Sequence, residues 1–250
     1  MTITDQDREE EARRFASIGS TARGAGIASA RKVTGRSDCR EGREAFLARD
    51  CEDLQPYPGS ARDVLADAMV AGKRILPEGT QGTSLSLHHG DYPHVTTRDT
   101  TVSGCLADAG TAPSNVRKTI MVCRTYPIRV GGSSGPMEHE VEIAEISRRS
   151  RIPLEELERT ERTTTTRRPR RIAEFDWLRF RNSVQLNGPT DIALTFVDYF
   201  DVDNRRAYRF ERLSDETISF VEEIERISGR PVSLLSTDFN WRNVIDGRAW

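Results

Sequence analysis

The second half of the chain alternates strand-like and helix-like patterns, and this order constrains the fold more than any other feature. Asp191–Val197 reads DIALTFV, an apolar run typical of a strand buried in a parallel sheet. Ser214–Ser228 follows with a helical pattern, and Ser214 is a good N-cap. Another apolar run, Pro231–Leu235, predicts the final strand. The alternation predicts an α/β fold with a mostly parallel sheet and flanking helices.

The rest of the chain supplies further predicted elements. The charged stretch 1–16 predicts an N-terminal helix that is solvated. Other helices are expected at 42–50, 60–71, 140–149, 153–160 and 175–186, and other strands at 74–76 and 208–213. Residues 118–130 predict a buried strand followed by an extended segment. A length of 250 residues fits one large domain or two modest ones, and we expect a single domain over 1–250.

Charge and composition exclude several classes of protein. The net charge of −2 gives no overall attraction to nucleic acid or to a membrane surface. No apolar run is long enough to span a bilayer, and the acidic start is not a signal peptide. Four cysteines without a CxxC pair fit a reducing cytoplasm. We therefore expect a cytoplasmic protein that binds neither membrane nor nucleic acid.

The spacing of cysteines and histidines does not predict a metal site. The cysteines have no histidine at metal-ligand spacing. His88 and His89 are adjacent, and His94 lies five residues on, which is not the i, i+4 spacing of a helical metal pair.

One polar segment, Glu78–Thr101, is dense in Gly, Thr, Ser and His and has few large apolar side chains. Gln81 can both donate and accept hydrogen bonds, which suits a purine edge. Thr96 offers a hydroxyl and an amide for phosphate, and Gly79 and Gly82 allow close backbone approach. An ordinary hydrophilic loop is the alternative. Together with the arginine-rich segment Arg162–Arg171, this segment indicates an anionic, hydroxyl-rich ligand such as a nucleotide.

That second feature is Arg162–Arg171, RTTTTRRPRR, with five guanidiniums and four hydroxyls. Arginine matches carboxylate or phosphate in bidentate fashion. A basic surface loop and an RNA-binding patch are the alternatives, and the absence of interleaved aromatic residues argues against RNA. No GxxxxGK[ST] motif occurs, so a triphosphate-cradling loop is absent from these 250 residues.

These segments, in this order, resemble the adenylosuccinate synthetase family. Glu78–Thr101 follows the family's EGxQGTxLDxxHGTYPxVTSSNTT closely. Similar matches to other family motifs lie at Ser20–Ala28, Tyr126–Pro136, Thr164–Arg171 and Gln185–Asp198, with a weak match at Leu235–Asp238. The resemblance implies a P-loop NTPase-like sheet whose N-terminal strands and phosphate loop are missing here. It also implies a homodimeric ligase that joins L-aspartate to IMP with GTP and Mg²⁺.

The resemblance also assigns residues to roles. Contacts to the purine monophosphate are expected from Thr21, Gln81, Thr96, Val130 and Arg168. The loop that closes on aspartate corresponds to Thr164, Thr165, Thr166 and Arg170, with Arg170 also near the triphosphate. Arg36 corresponds loosely to the arginine that reaches the partner subunit's site, and Asp198 and Ser236 lie where the family recognises the base of the triphosphate donor.

Several departures from the family pattern change these expectations. The family's GDEGKGK loop, catalytic Asp and catalytic His have no counterpart in this sequence, so we expect this chain alone to be inactive and only marginally stable. Phe196 stands where the family has a Lys beside the base, and Asp238-Phe239 replaces Gly-Pro. These two changes favour ATP as an alternative to GTP.

Two alternatives to the IMP ligase remain. One is the divergent branch that acts on dGMP to make the 2-aminoadenine precursor, for which Asp99 or Ser86 would accept from the 2-amino group. The other is a non-catalytic nucleotide-binding relative.

Overall fold

The computed structural model describes residues 1–36, 47–57, 59–164 and 167–247. The chain divides into two compact units. The first comprises Met1–Asn115 with Gly132–Gly135, and the second comprises Val116–Gly131 with Pro136–Trp250.

The first unit contains four α-helices and no strand among the residues described for it. The helices are α1 (Asp5–Arg14), α2 (Ala25–Thr34), α3 (Ala61–Val70) and α4 (Val102–Ala109). The α3 helix begins after Ser60, whose side chain caps it by accepting from the Asp63 amide. Short 3₁₀ turns lie at Ala16–Ile18, Ala48–Asp50, Glu52–Leu54, Thr83–Leu85 and Pro113–Asn115.

The α1 helix forms where the charged stretch predicts it, but it is not simply solvated. Asp7, Glu10 and Glu11 on this helix are buried. Asp7 forms a 2.5 Å ion pair with Arg31 on α2, and both side chains are more than nine-tenths buried. Burial of a charge is tolerated only when a partner compensates it, so this pair joins α1 to α2.

The second unit contains the sheet. Its elements are β1 (Ile120–Arg124), β2 (Ile128–Val130), α5 (Ile143–Ser150), α6 (Leu154–Thr160), β3 (Arg170–Ile172), α7 (Trp177–Asn187), β4 (Asp191–Thr195), α8 (Asp215–Ser228), β5 (Val232–Ser236) and β6 (Val244–Asp246). Four strands form one sheet in the order β1-β4-β5-β6, in which β1, β4 and β5 are parallel and β6 is antiparallel to β5. The strands β2 and β3 form a separate two-stranded sheet. The predicted α/β fold with a mostly parallel sheet is confirmed.

The core of the second unit forms around β4. Ile192 and Leu194 are completely buried there, and Val221 and Ile224 of α8 pack in the same cluster. Ser214 caps α8 by accepting from the Thr217 amide, as predicted. Because β1, β4 and β5 are parallel, their carboxyl ends share one edge of the sheet, and ligands of open α/β sheets bind beyond that edge.

Several element predictions are wrong. Residues 74–76 form no strand, and Leu76 is 88% exposed there. Residues 208–213 contain a 3₁₀ turn, Phe210–Arg212, because no neighbouring strand pairs with them in the part of the chain described. The strand at 231–235 is followed by β6, which pairs with it as the last strand.

Two further predictions are changed by the structure. The run 118–130 contains the expected strand, β1, followed by the short strand β2, but Val122 of β1 is 69% exposed rather than buried. The helix expected at 42–50 falls largely outside the described residues, and Ala48–Asp50 is a 3₁₀ turn.

Candidate functional site

The polar segment Glu78–Thr101 has no strand or α-helix, and its shape depends on Asp99. The Asp99 carboxylate accepts from the hydroxyl of Ser86 at 2.8 Å, and from the hydroxyl and amide of Thr101 at 2.7 and 3.0 Å. Burial acts to raise the pKa of Asp99, but the hydrogen bonds from Thr101 and Ser86 outweigh it and lower the pKa. The ionised carboxylate therefore joins Ser86, inside the segment, to the carboxyl-terminal end of the segment.

A second constraint on this segment is steric. A Cβ at Gly90 would lie 2.5 Å from the carbonyl oxygen of Ser84 and 2.6 Å from that of Ser86. The Gly90 amide also donates to the Ser86 carbonyl at 2.8 Å. Only glycine permits this approach, so the turn depends on that residue.

The structure brings Gln81 and Thr96 together. Gln81 Nε2 donates to Thr96 Oγ1 at 3.1 Å although fifteen residues separate them. The Thr96 amide donates to the Leu85 carbonyl at 2.8 Å, which fixes Thr96 against the 3₁₀ turn. Gln81 has a positive φ of 73° and an exposed side chain. The pair therefore presents an amide and a hydroxyl at the surface of the first unit.

Thr21 lies exposed in the loop that precedes α2, and a buried acid orders this loop. Glu11 accepts from Ser20 Oγ at 2.9 Å and from the Gly26 amide at 3.0 Å. A Cβ at Gly26 would lie 2.8 Å from Thr97 Cγ2, so the start of α2 packs directly against Thr97. The loop that carries Thr21 is thus anchored one residue from Thr96.

Arg36 follows α2 and is exposed, with its Nε donating to the Val33 carbonyl at 2.9 Å.

In the second unit, β2 and β3 bring Val130 and Arg170 together. These residues are partners in the antiparallel register. Arg168 is exposed just before β3, and its carbonyl accepts from the Thr163 amide at 2.9 Å, which closes a turn. Thr164 is exposed on this turn. Thr165 and Thr166 lie outside the described residues.

Sequence reasoning missed a buried carboxylate, that of Glu161, directly before the Arg162–Arg171 segment. Its side chain is 1% exposed and pairs with Arg124, and with Arg170 at 3.4 Å. Tyr199 donates its hydroxyl to Glu161 Oε1 at 2.5 Å. The available signal was an acid directly before a ten-residue segment that contains five arginines and no acid.

Asp198 and Ser236 follow β4 and end β5, so the parallel sheet places both at its carboxyl edge. Burial raises the pKa of Asp198, partly offset by Arg205, whose Nε donates to Oδ2 at 3.0 Å. The charge of Asp238 raises this pKa further. Ser236 Oγ donates to the Asp238 carbonyl at 2.9 Å. This end of the site is acidic, in contrast to the arginines around Glu161.

Potential metal ligands do not cluster. No group of three or more His, Cys, Asp or Glu side chains within the described ranges could hold a metal ion. The described helices also include none that is both long and apolar enough to cross a membrane.

Comparisons with known proteins show which family this chain resembles. The sequence model described as adenylosuccinate synthetase matches residues 44–205, more than half of the chain. An adenylosuccinate synthetase of Methanocaldococcus jannaschii is 36% identical over 231 residues, which are 92% of this chain and 62% of that protein. The chain thus spans less than two thirds of that relative's length.

Solved structures are also similar. Cyanophage S-2L succinoaminodeoxyadenylate synthetase, bound to dGMP and dATP as an energy donor, is 28% identical with a TM-score of 0.73, over 99% of this chain and 67% of that one. Plasmodium falciparum adenylosuccinate synthetase, at 17% identity and a TM-score of 0.77, shares the fold over 97% of this chain and 74% of that one. The chain belongs to the adenylosuccinate synthetase family.

Proposed function

We propose that this chain carries the purine-nucleotide site of a ligase that joins L-aspartate to C6 of IMP, with hydrolysis of a nucleoside triphosphate. The observation that carries the proposal is the Gln81–Thr96 pair, 3.1 Å apart and directed to the surface of the polar segment. A carboxamide that reads a base edge beside a hydroxyl that binds phosphate is the chemistry that a purine monophosphate requires.

In the proposed reaction, the oxygen at C6 takes the terminal phosphoryl group, and the aspartate amine then displaces that phosphate. Phosphorylation converts a poor leaving group into a good one, and cationic groups stabilise the charge on the transferring phosphoryl group. Thr21, Gln81, Thr96, Val130 and Arg168 bind and orient the monophosphate. Thr164, Thr165, Thr166 and Arg170 bind aspartate, and Arg170 also faces the triphosphate.

The charge distribution in the second unit supports a nucleotide as the donor. Arg124 and Arg170 lie at one part of the site, while Asp198 and Asp238 lie beyond β4 and β5. Phosphates match the arginines, and the N–H donors of a base match the acids. Asp198 and Ser236 bind the base, with GTP as donor and ATP as the alternative.

Mg²⁺ accompanies the triphosphate in this proposal. The described side chains provide no metal-binding cluster, so they do not fit an ion held by the protein alone. Magnesium in phosphoryl-transfer sites is held largely by substrate phosphates and water.

The assembly proposed is a cytoplasmic homodimer. In this dimer we assign to Arg36 the contact with the substrate bound by the partner subunit, and the exposure of its side chain is compatible with that role.

A second acceptor, dGMP, is favoured by the likeness to the cyanophage enzyme, whose structure contains dGMP. Within this chain, Ser86 is fully buried and donates to Asp99, so both residues are committed to the internal network of the polar segment. That arrangement leaves them little capacity to accept from a 2-amino group, so we propose IMP as the acceptor ahead of dGMP.

Calorimetric titration of IMP and dGMP onto the full chain tests this proposal. We expect Gln81→Ala to weaken IMP binding by roughly 10-fold, the effect of about one lost hydrogen bond. The matched control is Gln55→Ala, because Gln55 is also exposed and donates one side-chain hydrogen bond, to the Arg49 carbonyl at 2.7 Å. Tighter binding of dGMP than IMP would select the second acceptor, and binding of neither would refute the proposal.

A further inference from the structure

Two guanidiniums converge on one buried carboxylate at the carboxyl end of β1. Arg124, the last residue of β1, donates from Nη2 to Glu161 Oε1. Arg170 donates from Nη1 to Glu161 Oε2 at 3.4 Å. The two arginines come from different strands, yet the shared carboxylate holds their charged groups close together.

The cluster carries more positive than negative charge. Arg124 and Arg170 together contribute two positive charges, and Glu161 contributes one negative charge. Tyr199 does not compensate, since burial and the charge of Glu161 both raise the pKa of its phenol and keep it neutral. A partly buried excess cation favours binding of an anion.

The acids on neighbouring elements are engaged elsewhere. Glu156 of α6 and Asp198 after β4 both pair with Arg205, at 2.7 and 3.0 Å. The excess charge on the Arg124–Arg170 pair is therefore not taken up by these two acids.

Arg124 is held rigidly. Its guanidinium carbon lies 3.7 Å from the centroid of the Phe196 ring and 5.4 Å from that of Tyr199. Stacking fixes the plane of the guanidinium, and such preorganisation reduces the entropy lost on binding. The side chain of Arg124 is 13% exposed and that of Arg170 is 23% exposed, so both retain some accessible surface.

We propose that Arg124 is a further ligand-binding residue, which forms with Arg170 a paired-guanidinium clamp for the phosphate oxygens of the triphosphate. Glu161 is the positioning residue of this clamp. The inference rests on the proposed function for the nature of the natural ligand, but the clamp itself is defined by the charges and contacts of Arg124, Glu161 and Arg170. An L-aspartate carboxylate has similar oxyanion chemistry, so the test must separate the two.

The test uses the full chain and two probes, inorganic tripolyphosphate and L-aspartate, titrated calorimetrically at fixed low ionic strength. We expect Arg124→Met to weaken tripolyphosphate binding by roughly 10- to 100-fold, the usual loss for a charge-assisted hydrogen bond. L-aspartate affinity stays unchanged. The matched control is Arg209→Met, which removes an exposed arginine stacked 5.5 Å from the Tyr208 ring and causes the same change in net charge.

Arg124→Lys carries the test if Arg124→Met does not fold. It keeps a cation beside Glu161 but loses the planar fork, and we expect tripolyphosphate binding at least about fivefold weaker than in the wild type. Folding of each variant is checked by circular dichroism and thermal melting.

Three results would overturn the clamp. The first is that the wild-type chain does not bind tripolyphosphate. The second is that a folded Arg124 variant binds tripolyphosphate with wild-type affinity. The third is that an Arg124 variant loses binding of L-aspartate but not of tripolyphosphate. Failure of the proposed function is distinguishable, because it would abolish IMP and dGMP binding while the effect of Arg124 on tripolyphosphate persisted.

Discussion

Gly90→Ala tests directly whether the polar segment has the compact structure described. The added Cβ would lie 2.5 Å from the Ser84 carbonyl oxygen and 2.6 Å from the Ser86 carbonyl oxygen, well inside van der Waals contact. Both neighbours are backbone atoms, so no side chain can rotate away. Overpacking of this kind costs about 1–3 kcal/mol, and the backbone contacts place this case near the upper end.

Thermal unfolding and hydrogen exchange measure the loss of stability in Gly90→Ala. For a chain of this size, a loss of about 2–3 kcal/mol lowers the melting temperature by roughly 4–12 °C if unfolding is cooperative. Exchange at the Gly90 amide, which donates to the Ser86 carbonyl at 2.8 Å, should accelerate. The control is Gly59→Ala, because a Cβ there meets nothing within 4 Å. Equal stability of the two variants would refute this description of the turn.

The remaining predictions concern the core, pH and the Asp99 network. Leu194→Ala, at a completely buried position of β4, should cost about 2–5 kcal/mol in urea unfolding, whereas Val122→Ala, at a residue 69% exposed, should cost under about 1 kcal/mol. Burial acts to raise the pKa of Asp7, but hydrogen bonds from Thr4 and Arg31 outweigh it and lower the pKa. The ionised Asp7 carboxylate therefore stabilises the folded chain at pH values above its unfolded-state pKa of 3.8, and this stabilisation is lost as the pH falls below that value. Asp7→Asn should flatten the dependence of the free energy of unfolding on pH in this range. An unchanged dependence would contradict the Asp7–Arg31 ion pair. Asp99→Ala, which leaves Ser86 and Thr101 without their shared acceptor, should reduce both unfolding stability and IMP affinity, whereas Asp108→Ala, at an exposed ion pair, should change neither appreciably.

Elements with strong local signals could be predicted from the sequence. The apolar run of β4 and the Ser214 cap of α8 are both local patterns, and both lie where expected. Residues 208–213 also contain apolar side chains, at Tyr208, Phe210 and Leu213, but a strand requires a neighbour, and none pairs with them in the described structure. The three-residue β6 is too short to give a periodic signal and forms by pairing with β5.

For the candidate site, the two polar segments were recognisable, but their internal organisation was not. Glu161 meets Arg124 across 37 positions of sequence, and Asp7 meets Arg31 across 24. Such pairs arise from tertiary packing, so the charged N-terminal helix was expected to be solvated and instead buries three acids. Conversely, the register that joins Val130 to Arg170 unites two residues that the family resemblance had selected separately.

In the proposed function, Gln81 and Thr96 form the contact surface for a purine monophosphate. The most direct measurement follows side-chain and backbone amide resonances of the ¹⁵N-labelled chain during addition of IMP. We expect the resonances of the Gln81 side-chain amide and the Thr96 backbone amide to shift with one common dissociation constant, while the resonance of the Gln55 side-chain amide stays in place. Saturating IMP that leaves Gln81 and Thr96 unshifted would contradict the proposal.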